Sequence, residues 1–323
     1  MKIVFFETKP WQEKYLKKKL KSYELEFYRE PLTEDNANMA KDADVVSVFI
    51  YSTLDKNVLS LLKKIKMIAT RSTGTDHIDS AYCNKKGIDV KNVPFYGENT
   101  VAEHTFALIL SLSRKVHKSY VRTLDNNFSN EGLTGFDLKG KTLGVVGGGH
   151  IGMHVVKIAK GFGMDVLVFD VNHDSLLEDV LDFRYAKLND LLKNSDIISF
   201  HVPHNKHTHH LINNENIQYV KKGAILINTA RGAIVDTEAL LDALEKGKIG
   251  GAGLDVIEGE ELIKEENQLL HSSDNIENWR TIVRDHKIFK MDNVVFTPHI
   301  GFNSEEALTR ILDTTIENIL GFQ

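Results

Sequence analysis

The sequence predicts an α/β protein built on parallel sheets, and two observations carry that prediction. Short apolar runs alternate with helix-like segments from the first residues onward. One stretch, Thr142 to Asp170, reads as strand, glycine-rich turn, helix and strand in close succession.

In the first hundred residues the strand-like runs are Ile3–Phe6, Leu25–Tyr28, Val45–Ile50, Met67–Thr70 and Val90–Val93. Trp11–Leu20, Val58–Lys64 and Ile78–Lys86 lie between them with helical periodicity. Strands separated by helices pair in parallel, because the helix is the crossover that a parallel pair needs. This part has no glycine-rich phosphate loop, so it is not expected to hold a nucleotide. Thr100-Val-Ala-Glu103 matches a capping box and predicts a long amphipathic helix, Val101 to Leu124, linking two domains. Its apolar residues Val101, Phe106, Leu108, Ile109 and Leu110 exceed what one core face needs, which predicts a homodimer joined through this helix. Asp125–Lys139 is polar and reads as a surface loop.

The stretch from Thr142 carries the first chemical signal. Leu143–Val146 is an apolar strand, Gly147, Gly149 and Gly152 form G-x-G-x-x-G, Met153–Phe162 continues as helix, and Asp165–Asp170 is a strand ending in an acid. Each part has a physical use. Gly147 permits the tight turn, Gly149 lets a pyrophosphate approach the backbone, and Gly152 lets the helix pack close to the sheet. The free N–H groups and positive dipole end of the helix attract phosphate. Asp170 is placed to accept hydrogen bonds from ribose hydroxyls, and Val171, Asn172, His173 and Asp174 bring no cation for a 2′-phosphate. The expected cofactor is NAD rather than NADP.

Later strands are Asp196–His201, Ala224–Asn228, Gly253–Val256 and Val294–Thr297. Glu260 to Lys290 is long, charged and partly helical, and reads as an insertion. A last helix, Glu305 to Leu320, is capped by Asn303 and expected to return to the first domain. Ligands of open α/β sheets bind at the carboxyl ends of the strands. Arg231, Glu260 and His299 follow three of these strands, in NTARGAIVD, GLDVIEGE and TPHIG. A base, an acidic partner and a fixed cation near a nicotinamide suit hydride transfer to or from a carbon that bears oxygen. The histidine moves the proton, the glutamate orients the imidazole and favours its protonated form, and the arginine pairs with a carboxylate and polarises the neighbouring carbonyl.

Composition narrows the alternatives. The chain has 323 residues, enough for about two domains. Its net charge of −5 offers no basic field to recruit nucleic acid or an anionic membrane. Cys83 is the only cysteine, which excludes an internal disulfide and fits a reducing cytoplasm. No apolar run reaches membrane-spanning length, and the first residues lack a signal peptide's apolar core. His201, His204, His207, His209 and His210 form a histidine-rich run. No cysteine or acid completes a ligand set there, so no metal is expected.

These blocks resemble the D-isomer-specific 2-hydroxyacid dehydrogenase family. RSTGTDHID (Arg71–Asp79), NVPFYGENTVAEHT (Asn92–Thr105) and HVPHNKHTHHLIN (His201–Asn213) extend the likeness, which runs from about Lys2 to the last helix. Within the family the chain is most similar to the D-lactate dehydrogenases. The resemblance implies two Rossmann-like domains, each a doubly wound parallel sheet, with the active site in the cleft between them. Residues 1–100 and 300–323 would form the substrate domain and residues 101–299 the NAD domain. Arg231, Glu260 and His299 would be the catalytic set. Gly147, Gly149, His150, Ile151, Gly152, Asp170, Val202, Pro203, Thr208, Thr229, Ala230 and Asp255 would line NAD, and Thr73, Gly74 and Tyr96, with Arg231, would meet the substrate. The implied reaction interconverts pyruvate and D-lactate. A broader 2-oxoacid reductase, acting on hydroxypyruvate, glyoxylate or branched-chain oxoacids, is the alternative. An NAD-sensing binding protein is another, but that class would be expected to carry a docking groove or extended tails. After TPHI, close D-lactate relatives often carry Ala-Tyr-Tyr where this chain has Gly301-Phe302-Asn303, a departure that bears on the substrate more than on the reaction.

Overall fold

The computed structural model describes residues 1–260 and 276–322. Residues 261–275, within the charged segment expected after Glu260, lie outside the described residues. The chain divides into two units, Met1–Tyr96 with Asn303–Gln323, and Gly97–Phe302.

The first unit holds a five-stranded parallel sheet. Its strands are β1 (Lys2–Phe5), β2 (Glu24–Phe27), β3 (Val45–Val48), β4 (Met67–Thr70) and β5 (Asp89–Lys91), in the order β2-β1-β3-β4-β5. Helices α1 (Pro10–Lys19), α2 (Lys56–Leu61) and α3 (Ser80–Lys86) connect them. Local chemistry sets their ends. Pro10 opens α1, the Asp55 and Asp79 carboxylates accept from Val58 N and Tyr82 N at the starts of α2 and α3, and Gly87 closes α3 at φ 70°. Side chains alternate across a strand, so β1 serves two cores. Val4 packs on one face with Val46, Val48 and Ile68, and Ile3 and Phe5 pack on the other with Val45, Met67 and Ala69. Arg71, at the end of β4, is fully buried and donates to Ser47 Oγ (2.9 Å), Phe6 O (2.5 Å) and Glu7 O (3.1 Å). Burial pulls its guanidinium down to about 10.

The second unit begins with α4 (Glu98–Arg114) and α5 (Val116–Leu124). The expected single helix is two, because Lys115 takes a left-handed conformation (φ 56°) between them. The helix start also differs. Gly97 is the N-cap, so Thr100 lies inside the first turn and does not open a capping box. The apolar side chains expected to face a second copy are spent on the core instead. Val101, Phe106, Leu108 and Ile109 are buried, and Leu110 packs against the same cluster. The exposed apolar residues lie one helix later, at Val116, Tyr120, Val121 and Leu124, with Phe128 beyond.

A seven-stranded parallel sheet follows. It contains β6 (Thr142–Val146), β7 (Asp165–Phe169), β8 (Arg184–Tyr185), β9 (Ile197–Phe200), β10 (Ala224–Asn228), β11 (Ile249–Leu254) and β12 (Val294–Phe296). The order is β12-β11-β10-β9-β6-β7-β8. The helices are α6 (His150–Gly161), α7 (Ser175–Leu181), α8 (Leu188–Asn194), α9 (Thr237–Glu245) and α10 (Ile276–Phe289). From β6 the chain first builds outward through β7 and β8 and then returns to place β9 on the other side. The β6/β9 boundary is therefore the topological switch point, where doubly wound sheets bind ligands. Among the described residues no helix is long and apolar enough to cross a membrane.

The last helix, α11 (Glu305–Leu320), belongs to the first unit. Leu312, Ile316 and Ile319 join the face of Ile3 and Phe5, and Tyr15 Oη donates to Asp313 Oδ1 at 2.7 Å. Its cap is Ser304, whose hydroxyl accepts from Ala307 N, and not Asn303.

Candidate active site

The glycine turn sits where β6 meets α6. Gly147 has φ 106°, and a Cβ there would lie 2.7 Å from the His201 carbonyl and 2.9 Å from Val202 Cγ1. A Cβ on Gly152 would come within 2.0 Å of Gly147 O, so only hydrogen fits between helix and turn. Gly149, the N-cap of α6, is different. A Cβ on it would meet nothing within 4 Å, so the space beside it at the helix N-terminus is open. His150 and Ile151 form the first turn of α6. Asp170 follows β7, and its carboxylate accepts from Gly148 N (2.6 Å) and Asn172 N (2.8 Å). The acid thus pins the turn, a role its place in the motif did not reveal.

Residues after β9 flank the turn. Val202 packs against Gly147, Pro203 is exposed, and the Thr208 hydroxyl donates to Pro203 O at 2.6 Å, closing its own turn. His201 Nε2 lies 2.8 Å from Ser199 Oγ, and burial pushes its imidazole down to about 3. In the histidine-rich run, His204 bonds His209, His209 stacks on His210, and His210 Nε2 is 2.8 Å from Glu258 Oε1. Among the described residues no group of three or more His, Cys, Asp or Glu could hold a metal ion.

The three ionisable residues follow β10, β11 and β12. After β10, Asn228 Nδ2 donates to Arg231 O (2.9 Å) while Asn228 Oδ1 accepts from Ala230 N (3.0 Å), which fixes the turn that carries Arg231. Thr229 Oγ1 lies 3.0 Å from Thr105 Oγ1, and Thr105 donates to Val101 O, so Thr229 is the donor of the pair. A Cβ on Gly232 would meet Ile257 C at 2.1 Å, so the Arg231 turn abuts the loop that ends in Glu260. Glu260 Oε1 is 2.8 Å from His299 Nδ1. His299 holds φ 53°, a left-handed conformation that costs a non-glycine residue about 1–3 kcal/mol.

That strain is held by Asp255. Its Oδ1 accepts from Thr297 Oγ1 (2.5 Å) and Ile300 N (2.9 Å), its Oδ2 accepts from Gly301 N (2.8 Å), and its backbone O accepts from His299 N (2.9 Å). Burial pushes the Asp255 carboxyl up, but hydrogen bonds from His104, Thr297, Ile300 and Gly301 outweigh it and hold the group below the usual carboxylate range. Sequence reasoning placed Asp255 beside the cofactor; in the fold its carboxylate carries the segment that bears His299. Asn228, Thr297 and His104 are the residues it missed.

In the first unit, Thr73 Oγ1 donates to Val93 O (2.9 Å), Asn92 Nδ2 donates to Thr73 O (2.7 Å) and Ser72 Oγ donates to Gly74 O (2.7 Å). The RSTG turn is therefore braced by its own side chains. Tyr96 O accepts from Arg310 Nε at 2.6 Å.

Comparison with known proteins gives the family. Residues 106–301 match the NAD binding domain of the D-isomer specific 2-hydroxyacid dehydrogenases. The chain belongs to that family. The enzyme is 39% identical to the D-lactate dehydrogenase of Escherichia coli, over 99% of this chain and 96% of the relative. It is 35% identical to the glyoxylate reductase of Thermococcus litoralis, over 100% of this chain and 94% of that one. Among solved structures it is similar to the D-lactate dehydrogenase of Aquifex aeolicus in complex with NAD and lactic acid. The TM-score is 0.89 at 38% identity, covering 99% and 95% of the two chains. The dehydrogenase is an NAD-dependent oxidoreductase of 2-hydroxyacids, and its residues fit the cofactor: the open backbone at Gly149 is a cradle that any side chain would fill.

Proposed function

We propose that this enzyme interconverts pyruvate and D-lactate, with NAD as the hydride carrier. The observation that supports it most is the 2.8 Å contact of His299 Nδ1 with Glu260 Oε1, in a chain similar to D-lactate dehydrogenases along its full length. The cofactor, when bound, supplies or accepts the hydride at C2 of the substrate. Gly147, Gly149, His150, Ile151 and Gly152 hold its phosphates, and Asp170 the adenosine ribose. Val202, Pro203 and Thr208 line the adenosine side, and Thr229, Ala230 and Asp255 the nicotinamide side. Residues 101–299, all within the second unit, are accordingly the NAD domain, and the first unit, Met1–Tyr96 with Asn303–Gln323, is the substrate domain.

Glu260 commits Nδ1 of His299, which leaves Nε2 to give its proton to the developing alkoxide in reduction and to take it back in oxidation. Arg231 pairs with the substrate carboxylate and polarises the 2-oxo group. Thr73 and Gly74 offer backbone N–H groups to the carboxylate, and Tyr96 contacts the substrate. The test is NADH oxidation against a panel of 2-oxoacids with the D- and L-products separated. D-lactate from pyruvate as the fastest reaction supports the reading, and an L-product overturns it.

A broader 2-oxoacid range is the second reading, favoured by Phe302. Its ring lies 6.4 Å from that of His299, where D-lactate relatives often carry tyrosine. Higher kcat/KM for glyoxylate, hydroxypyruvate or a branched-chain oxoacid than for pyruvate in the same panel selects it.

We further propose a cytoplasmic homodimer. The support is the free buried Cys83 and the four-residue spacing of exposed Val116, Tyr120 and Leu124 on α5. A dimeric mass in solution that becomes monomeric in Tyr120→Asp supports the assembly, and a monomeric parent rejects it.

A further inference from the structure

His104 lies on α4 with its Nε2 2.9 Å from Thr297 Oγ1 and 3.2 Å from Asp255 Oδ1. The Thr297 hydroxyl already donates to Asp255 Oδ1, so toward His104 it can only accept. Nε2 of His104 is therefore the protonated nitrogen, and it donates into the Thr297–Asp255 pair. The side chain is mostly buried at 17% exposure, and Nε2 faces the Thr297–Asp255 pair. Its partners are 193 and 151 positions away in sequence, which ties α4 to Thr297, at the start of the segment bearing His299, and to Asp255, which holds that segment.

The load on that segment gives the contact its purpose. Thr297, Ile300 and Gly301 hang from the Asp255 carboxylate, and His299, in the middle, must stay at φ 53° for Nδ1 to meet Glu260. Asp255 is buried, so removing one of its donors leaves lone-pair capacity that water does not readily fill. A hydroxyl that is no longer held on its acceptor side is free to turn away from the carboxylate. The donor at position 104 therefore bears on where the His299 imidazole sits, without touching the substrate.

We propose that His104 is a positioning residue for the reaction, acting through Thr297 and Asp255 to hold the His299 imidazole on Glu260. This rests on the reading that His299 transfers the proton. The substitution His104→Leu removes the donor, and His104→Gln restores an N–H at a similar distance from the backbone. Pyruvate reduction is measured under saturating NADH, together with NADH binding by fluorescence titration. The expected result for His104→Leu is a fall in kcat on the order of tenfold to a hundredfold, as for a small misplacement of a catalytic group. NADH affinity and the KM for pyruvate stay near the parent values, because the phosphate turn and Arg231 are untouched. His104→Gln recovers most of kcat.

Parent-like kcat in His104→Leu overturns the proposal, and so does a His104→Gln variant as impaired as His104→Leu while both bind NADH normally. Should His104→Leu not bind NADH at all, the pair Thr297→Val and Thr297→Ser decides. Low kcat in the first with near-parent kcat in the second supports the relay, and equal kcat in both rejects it. His299→Ala serves as the reference. If it keeps the parent rate, the assignment of His299 has failed. If it is inactive while His104→Leu is normal, only the role of His104 has failed.

Discussion

Glu260 and His299 share one hydrogen bond of 2.8 Å, and the second carboxylate oxygen of Glu260 is buried with no hydrogen-bond partner among the described residues. The carboxylate is thus committed to the imidazole on one side and poorly solvated on the other. Reduction of an oxoacid consumes a proton, so kcat/KM for reduction falls as pH rises and that for oxidation rises. In Glu260→Gln the carboxylate that holds the imidazole is lost, so kcat for reduction falls while NADH affinity is unchanged. His299→Ala lowers the reduction rate by on the order of a hundredfold or more. Retention of the parent's alkaline fall in His299→Ala would assign the proton to another group.

Arg231→Lys separates binding from proton transfer. A lysine supplies a point charge and cannot reproduce the planar fork that meets a carboxylate. The KM for pyruvate rises and kcat falls, together on the order of tenfold in kcat/KM for one charge-assisted bond lost. The pH dependence of reduction stays in place. A displaced pH profile in this variant would contradict the separate roles of arginine and histidine.

The two glycines at the start of α6 should respond in opposite ways to alanine. At Gly149 the added methyl enters open space, so the melting temperature holds while NADH binding weakens. At Gly152 it enters the Gly147 carbonyl, and stability falls by about 1–3 kcal/mol. Thermal melting with and without NADH distinguishes them. A Gly149→Ala variant with parent NADH affinity would remove Gly149 from the phosphate site.

Asp170→Ala is expected to weaken NADH use by about tenfold, the value of a charged hydrogen bond, and to narrow the preference over NADPH. Two causes act together: the ribose loses its acceptor, and Gly148 N and Asn172 N lose theirs. Equal kcat/KM for NADH and NADPH in the parent enzyme would refute the expectation.

Asp285 on α10 makes stability depend on pH. Its carboxyl is fully buried, Arg284 Nε is 2.9 Å from Oδ1, and Oδ2 lacks a hydrogen-bond partner among the described residues. Burial raises the group to about 6, more than Arg284 lowers it. The folded state therefore holds this proton more tightly than the unfolded chain does. Stability from this group is present at low pH and is lost as pH climbs through about 6, by up to about 3 kcal/mol. Asp285→Asn mimics the protonated form, so it raises the melting temperature at pH 8 and changes it little at pH 4. A lower melting temperature at pH 8 would show that the Arg284 pair dominates.

Much of this was legible because it is written in local chemistry. Apolar runs such as Met67–Thr70 and Ala224–Asn228 give strands with the expected bounds, since buried parallel strands are apolar on both faces. The glycine spacing located the turn because each glycine answers a steric need there. What was hidden depends on contacts far apart in the chain. The break at Lys115 has no glycine or proline to announce it, and β11 starts at Ile249, earlier than expected, because three glycines in IGGAGL dilute its apolar signal. The apolar surplus of α4 was real, but its consumers are Leu143, Val155 and Ile227, which the sequence places far from it. His104 and Asn228 lie inside the quoted blocks NVPFYGENTVAEHT and NTARGAIVD, but what they hold is set only once β10, β11 and β12 lie side by side.

The placement of α11 also bears on how the first unit is completed. The strands β1 to β5 all lie within the first hundred residues, yet Leu312, Ile316 and Ile319, which help cover Ile3 and Phe5, follow the whole second unit in sequence. The second unit is continuous in sequence and has all its strands before Ser304 is added. The first unit thus cannot complete its core from one continuous stretch, whereas the second unit can. A chain ending just before Ser304 would keep Leu16 and Leu20 on the face of Ile3 and Phe5 but lack Leu312, Ile316 and Ile319, leaving that face partly uncovered while the second unit has all its residues.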